Sequence, residues 1–556
     1  MTETVTILTA KLVRTMDDAV PTGTAVAVRG ATILAVGTPE VLLATYPGAE
    51  VDDRYADQVL APGFVEAHSH MGAGMDSPFY LGYFPRMTPD GTPLAGAQSW
   101  QGVLDALKAW DAALPEGEVL NARGLDMLFH PGETLDRHAL DSVSATRGIY
   151  VIHASGHVAT ANSVLLEKAG YGADTDIEGV VKGADGLPTG ELQEMGAMMP
   201  VMAALGMDFS KGMTSEQGMY DFAADARNHG CTTATDLANF DAVRPGGLEL
   251  LAEVTGREDF SLRLVPATFG GMTRSAEEAE GMAALVKSVQ GKGNAKLHLG
   301  TVKLMLDGSI QQHTAKLQDP GYVCGHDDGI WNTDAETFRA QVSAFHKAGL
   351  NIHVHCNGDE ATEVFCNAVE EVLAESPRWN HRHTVTHSQL TTRAQYKRMA
   401  ELGMGANIFS NHIWYWGDQH IDLTVGPDRV QRMNAARTAL DSGVKIALHC
   451  DTPVTPLDPL ATASYAAERR TPTGRSWGDA ERISVKEALE AITIGPAYLL
   501  KLDHLVGSIV PGKYADFAVL DRDPFEVAEV KELRDINVLG TVVGGVHFPS
   551  PVHATV

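Results

Sequence analysis

His68, Ser69 and His70 close an apolar run that extends from Val59 to Ala67. Side chains on a strand alternate between faces, so two histidines one residue apart point the same way and can grip a single metal ion. Similar groups recur further on. Asn351-Ile352-His353-Val354-His355 puts two imidazoles on one face, with His355 nearer the C-terminal end, and His383-Thr384-Val385-Thr386-His387 repeats that geometry. Ile446-Ala447-Leu448-His449-Cys450-Asp451 finishes on a carboxylate that can ligate a cation and accept a proton. Lys303 sits in an apolar and small-residue stretch, Gly300 to Leu306, where a bare ammonium is costly to bury and needs a partner. Histidines, a lysine and an aspartate in these settings suit metal-assisted hydrolysis. Taken one at a time, each has a structural alternative: a satisfied core histidine, a snorkelling lysine, or an Asx-turn ahead of Pro453.

The elements that must position these groups follow from patterning. Short apolar runs alternate with longer helical patterns, the order that predicts parallel strands covered by helices. Strands are expected at Ala61–Ala67, Cys231–Leu237, Ser261–Thr268, Gly300–Leu306, Leu350–His355, His383–His387, Gly405–Phe409 and Val444–Cys450. Eight such units predict an α/β protein built on a (β/α)8 barrel of the TIM type, over residues 61–500. Reacting groups in such a barrel gather at the C-terminal ends of strands, and five of these eight candidates carry a ligand type there. The stretch between the first two strands is too long for one crossover, so 71–212 is expected to be an inserted cap. Residues 1–60 and 501–556 read as short strands punctuated by glycines, and the two ends are expected to pair into one small β-sandwich domain. Ser484 followed by Glu487 is a capping-box pattern for a helix reaching about Leu500.

Composition narrows the partners. The 556-residue chain has 43 basic against 71 acidic residues, a net charge of −28, and no basic cluster; this disfavours nucleic acid and anionic membrane surfaces. No apolar run approaches the roughly 18 residues of a membrane span, and the N-terminal residues lack a basic segment followed by an apolar one. A soluble, cytoplasmic protein is expected. Five widely spaced cysteines without a Cys-x-x-Cys pair suggest neither a disulfide framework nor a thiolate zinc site.

The order Pro62-Gly63-Phe64-Val65-Glu66-Ala67-His68-Ser69-His70, Lys303, His355, His387, Asp451 resembles the amidohydrolase superfamily. Further stretches resemble amidohydrolase family 3, the YtcJ-like branch that includes N-substituted formamide deformylase. They are Ala122 to Asp126, Gly156-His157 with Asn162-Ser163, Gly190 to Glu194, Leu306 to Ser309 after Lys303, Gly358-Asp359 after His355, and Gly507 to Phe517. The resemblance spans nearly the whole chain. It implies a centre in which His68, His70 and Asp451 hold one metal and His355 and His387 another. Carboxylated Lys303 would bridge two zinc ions, and a single divalent metal is the alternative. It further implies a homodimer and a small-molecule substrate. The reaction implied is hydrolysis of a non-peptide C–N bond by metal-activated hydroxide, with Asp451 as general base and acid. Three positions depart from the branch: Thr386 in place of glutamate, His449-Cys450 in place of Gly-Ser, and His313 in place of arginine.

His157 in the cap and His412 after strand seven are candidates to stabilise an oxyanion, although each could equally be a turn or loop residue. Aromatic residues flank the expected mouth: Phe79, Tyr80, Tyr83 and Phe84 after strand one, and Trp414, Tyr415 and Trp416 after strand seven. Phe79, Tyr83, Trp414 and Trp416 are therefore candidate substrate contacts, favouring an apolar or aromatic group, or else packing residues that pin the cap; His313, standing where the resembling branch has arginine, is a further candidate contact. Two other functions stay open: a heterocycle deaminase on the same scaffold, against which Lys303 argues, and a catalytically silent scaffold, against which the intact ligand set argues.

Overall fold

The computed structural model describes residues 4–72, 77–207, 213–326 and 329–552. The far limit of the expected insertion, 208–212, lies outside them. Eight parallel strands form one sheet: β1 (Phe64–Glu66), β2 (Cys231–Asn239), β3 (Arg263–Phe269), β4 (Thr301–Met305), β5 (Asn351–Cys356), β6 (Thr384–His387), β7 (Gly405–Ile408) and β8 (Lys445–Leu448). They lie in chain order and every pairing is parallel. Helices between them bury apolar faces on the sheet, as in Ala335–Lys347 with Phe338, Val342 and Phe345. Side-chain caps fix their starts, Asp334 and Thr392 among them.

The barrel closes between β1 and β8 by an unusual seam. At the C-terminal end, Ser69 and Thr452 form a parallel bridge, the Asp451 amide donates to the His68 carbonyl, and the His70 amide donates to the Thr452 carbonyl. Deeper, the two strands do not meet directly. The Val65 amide donates to the Ile492 carbonyl and the Leu448 amide to the Ala491 carbonyl, so residues 491–492 stand in for the missing ladder. This corrects the single helix expected from Ser484 to Leu500. The capping box is present, but the segment is two helices, Val485–Glu490 and Ile494–Leu499. It breaks where its carbonyls are taken by the strands, an arrangement an unbroken helix forbids.

The two chain ends share a seven-stranded sheet. Its order is Val546–Pro549, Val538–Val543, Phe517–Leu520, Glu50–Pro62, Val5–Arg14, Thr22–Arg29, Thr32–Gly37. Leu60 pairs with Val519 where N-terminal and C-terminal strands meet. A buried ion pair ties this sheet to the barrel. Arg263 of β3 grips Asp516 through Nε (2.6 Å) and Nη2 (2.9 Å), with its guanidinium 3.7 Å from the Tyr514 ring centre.

Between β1 and β2 a five-stranded sheet runs Val180–Lys182, Pro188–Gln193, Val158–Ala161, Ile149–His153, Leu120–Leu125. It has its own apolar core, including Leu81, Val103, Leu107, Leu120, Leu140 and Val151. The five cysteines are free thiols, all buried except Cys324. No helix among the described residues is long and apolar enough to cross a membrane.

Candidate metal centre

Four barrel strands deliver imidazoles and a carboxylate to one point on the seam. His68 and His70 follow β1, His387 ends β6 and Asp451 follows β8. His68 Nε2 lies 3.2 Å from His70 Nε2 and 3.1 Å from Asp451 Oδ1; His70 Nε2 is 3.4 Å from the same oxygen. His387 Nδ1 is 3.5 Å from Asp451 Oδ2. The His355 ring centre, from β5, is 4.3 Å from that of His387. His68, His387 and Asp451 are buried, whereas His70 is partly open. His387 and Asp451 both adopt left-handed backbone, with φ of 71° and 55°. Non-glycine residues are strained there, and such strain persists where the surroundings over-determine the geometry.

Glu66 fastens the seam under these ligands. Fully buried, its carboxylate accepts from the amides of His68 (2.8 Å) and Cys450 (3.0 Å), one on each side of the closure. Asp307, after β4, similarly accepts from the amides of Asn357, Gly358 and Lys316, and its Oδ1 lies 3.8 Å from His355 Nε2. His355 Nε2 is also 3.0 Å from the Gly308 carbonyl. Sequence reasoning assigned Glu66 and Asp307 no role, because each also takes main-chain amides from a remote segment, Cys450 for Glu66 and Asn357 and Gly358 for Asp307.

Several buried polar atoms here have no hydrogen-bond partner: His68 Nδ1, His387 Nε2, Lys303 Nζ, Asp451 Oδ1 and both ring nitrogens of His449. Buried polar groups are almost always satisfied, so a cluster of orphaned nitrogens and oxygens fits a divalent cation. Among the described residues, His68, His70 and Asp451 offer ligand atoms within 4.8 Å of one another, and so do His68, His387 and His449. Electrostatics agree. Burial pushes His68, His355 and His387 well below the usual histidine range, leaving neutral imidazoles able to donate lone pairs. Burial opposes ionisation of Asp451, but the close His68, His70 and His387 rings hold its carboxyl well below the usual range. Burial pushes the Lys303 ammonium down to about 8.

The cap contributes His157. Its Nδ1 is 2.8 Å from Glu194 Oε2, and its ring centre lies 4.7 Å from that of His355. Burial disfavours the His157 cation, yet Glu194 raises its pKa above the usual value. Glu194, at φ 64°, also accepts from Asn332 Nδ2 at 2.8 Å. The fragment Gly190 to Glu194 is visible in the sequence, but the pairing of its last residue with His157 is not.

The remaining candidates make other contacts. His412 packs on Phe409 (4.4 Å between ring centres), and Phe409 in turn stacks on His449. His313 faces Tyr322 and stacks on His326. Phe79 packs against Trp110 in the cap's own core, and Trp414 stacks on Tyr465 under Arg534. Trp416 donates from Nε1 to Asp126 Oδ2 at 2.6 Å, joining barrel to cap. Tyr83 stacks on Phe129 at 4.4 Å, and Phe84 meets Tyr415 edge-on at 4.9 Å, so these rings line the cap–barrel boundary.

A parallel eight-stranded barrel with histidines and an aspartate converging at its strand ends defines a metal-dependent hydrolase. The profile of the amidohydrolase family matches residues 56–547, and the chain belongs to that family, whose chemistry is hydrolysis of carbon–nitrogen bonds. N-substituted formamide deformylase from Arthrobacter pascens is 28% identical over 96% of this chain and 96% of its own length. Protein LONG AFTER FAR-RED 3 from Arabidopsis thaliana is 25% identical over 97% of this chain and 90% of its own length. Among solved structures, an uncharacterised metal-dependent hydrolase from Pyrococcus horikoshii superposes with a TM-score of 0.69 at 19% identity, covering 94% of this chain and 99% of the other. Atrazine chlorohydrolase TrzN from Arthrobacter aurescens, complexed with zinc, shares the fold at a TM-score of 0.55 and 13% identity, covering 99% of this chain and 96% of its own.

Proposed function

We propose that this enzyme cleaves the C–N bond of a small N-substituted amide carrying an apolar or aromatic group. The observation that carries the reading is the convergence of His68, His70, His387 and Asp451, with His355 alongside and a buried, partnerless Lys303 whose charge bears on His68, His355 and His387. His68, His70 and Asp451 would hold one zinc ion and His355 and His387 a second, with carboxylated Lys303 as the shared anionic ligand. Burial favours that modification, because an amine pushed down to about 8 has a far larger neutral fraction near physiological pH than an ordinary lysine, and that neutral amine can add carbon dioxide with loss of a proton. A divalent ion held there lowers the pKa of a water to about 7 and polarises an amide carbonyl.

The chain's own groups do the rest. Asp451, ionised throughout the working range, takes a proton from the attacking water and passes it to the departing nitrogen. His157, held by Glu194 against His355, donates to the oxygen on which negative charge develops. The rings of Tyr83, Phe129 and Tyr415 offer faces to the substrate's apolar part. The name of the Arthrobacter pascens relative, which covers nearly the whole chain, supports a formamide-type substrate. Zinc-loaded protein assayed against N-substituted formamides, acylated aromatic amines, lactams and aminated heterocycles should release amine from the first two groups. Release of ammonia from heterocycles alone would refute the proposal in favour of a deaminase.

A further inference from the structure

His449 has no role in the ligand set above, yet it lies against that set. It follows β8 directly, two residues before Asp451. It is fully buried. One face of its ring stacks on His68 at 4.8 Å and 28°, the other on Phe409 at 4.8 Å and 16°, and its centre is 5.1 Å from that of His387. Neither ring nitrogen has a hydrogen-bond partner.

Packing alone does not account for an imidazole here. A neutral histidine carries one N–H and one lone pair, and burying both without partners costs free energy that a phenyl ring in the same slot would avoid. Phe409, stacked on it, shows that the surroundings accept an aryl ring. What an imidazole adds is a donor atom for a cation. His449 offers one within 4.8 Å of ligand atoms on His68 and His387, and all three residues are buried.

We propose that His449 is a metal ligand, which with His68 and His387 forms an all-imidazole face on the inner side of the centre. The inference rests on the metal-dependent reading above and extends it to this residue. Three nitrogen donors favour borderline divalent ions such as zinc, cobalt(II) or nickel over magnesium, calcium or manganese. His449 would thus take part in selecting the ion.

The test uses the full chain, stripped and then reloaded with zinc or cobalt(II). His449→Phe keeps the stack on His68 and Phe409 but removes both nitrogens; His449→Gln keeps a polar group. In the phenylalanine variant, zinc affinity at one site should fall at least 10-fold, and the visible bands of the cobalt protein should change in energy and intensity. Wild-type affinity and an unchanged cobalt spectrum in both variants would overturn the assignment. Should the variants not fold, zinc anomalous diffraction from wild-type crystals decides. A peak about 2.0–2.1 Å from a His449 nitrogen supports the proposal. A peak at His68, His70 and Asp451, with His449 beyond about 3 Å, defeats it while leaving the hydrolase reading intact. Wild-type protein that retains no zinc defeats both.

Discussion

Asp126 joins cap to barrel through a carboxyl group that burial pushes up to about 6, against which hydrogen bonds from the Leu128 amide (2.9 Å) and Trp416 Nε1 (2.6 Å) pull only partly. An unfolded aspartate titrates near 4, so the folded protein binds more protons between about pH 4 and pH 6. Stability contributed by this group is therefore present below pH 4 and lost as pH rises through 6. The shift is about 2 pH units, worth about 3 kcal/mol in all at roughly 1.4 kcal/mol per unit. Asp126→Asn cannot titrate, and the difference in stability between variant and wild type isolates this one group. That difference should move in favour of the variant by up to about 3 kcal/mol between pH 4 and pH 7. A pH-independent offset is also expected, because asparagine has one oxygen where Asp126 uses two as acceptors. Hydrogen exchange of amides 123–130 and 411–418, followed at pH 4.5, 5.5 and 7, reads the cap–barrel contact locally. A difference flat across that range would refute the reasoning.

Other expectations follow from the same geometry. Lys303→Ala should lose metal and activity together while circular dichroism stays native; full activity with stoichiometric zinc would rule out a role for the lysine in the centre. Glu194→Gln removes the anion that holds His157, and kcat should fall about 10- to 100-fold with a shifted pH profile and a smaller change in KM; an unchanged profile would count against His157 as a proton-bearing group. Asp516→Ala strands the buried Arg263 guanidinium and should cost about 3–5 kcal/mol, read as a lowered denaturation midpoint, whereas replacing both partners by apolar residues should cost much less. Chelation at tight-binding conditions should lower Tm, since an ion at 1,000 times its Kd contributes about 4 kcal/mol to the folded state.

The residues that converge at the strand ends were legible because their signal is local. A histidine pair with strand spacing, or an aspartate ending an apolar run, keeps its meaning without knowledge of what lies opposite, and all eight barrel strands could be located from short apolar runs. The supporting residues were not, since Glu66, Asp307 and Glu194 each also engage an amide or side chain tens to hundreds of positions away. The helix break after Glu490 was hidden for the same reason. Its apolar pattern reads as continuous, and only the amides of Val65 and Leu448 explain why it parts. The aromatic residues divided by neighbours rather than by position, Phe79 facing inward to the cap and Trp416 reaching across to Asp126.

Because strands β1 and β8 meet through a carboxylate, a bridge of two residues and a pair of borrowed carbonyls, the circle of strands is thinnest where its charge-bearing groups converge. An ion gripped by His68 and Asp451 would rivet that joint from both sides. Loading and closure would then be one event, and a stripped protein should breathe first along this line, at residues 64–70 and 448–452, with the opposite wall still firm.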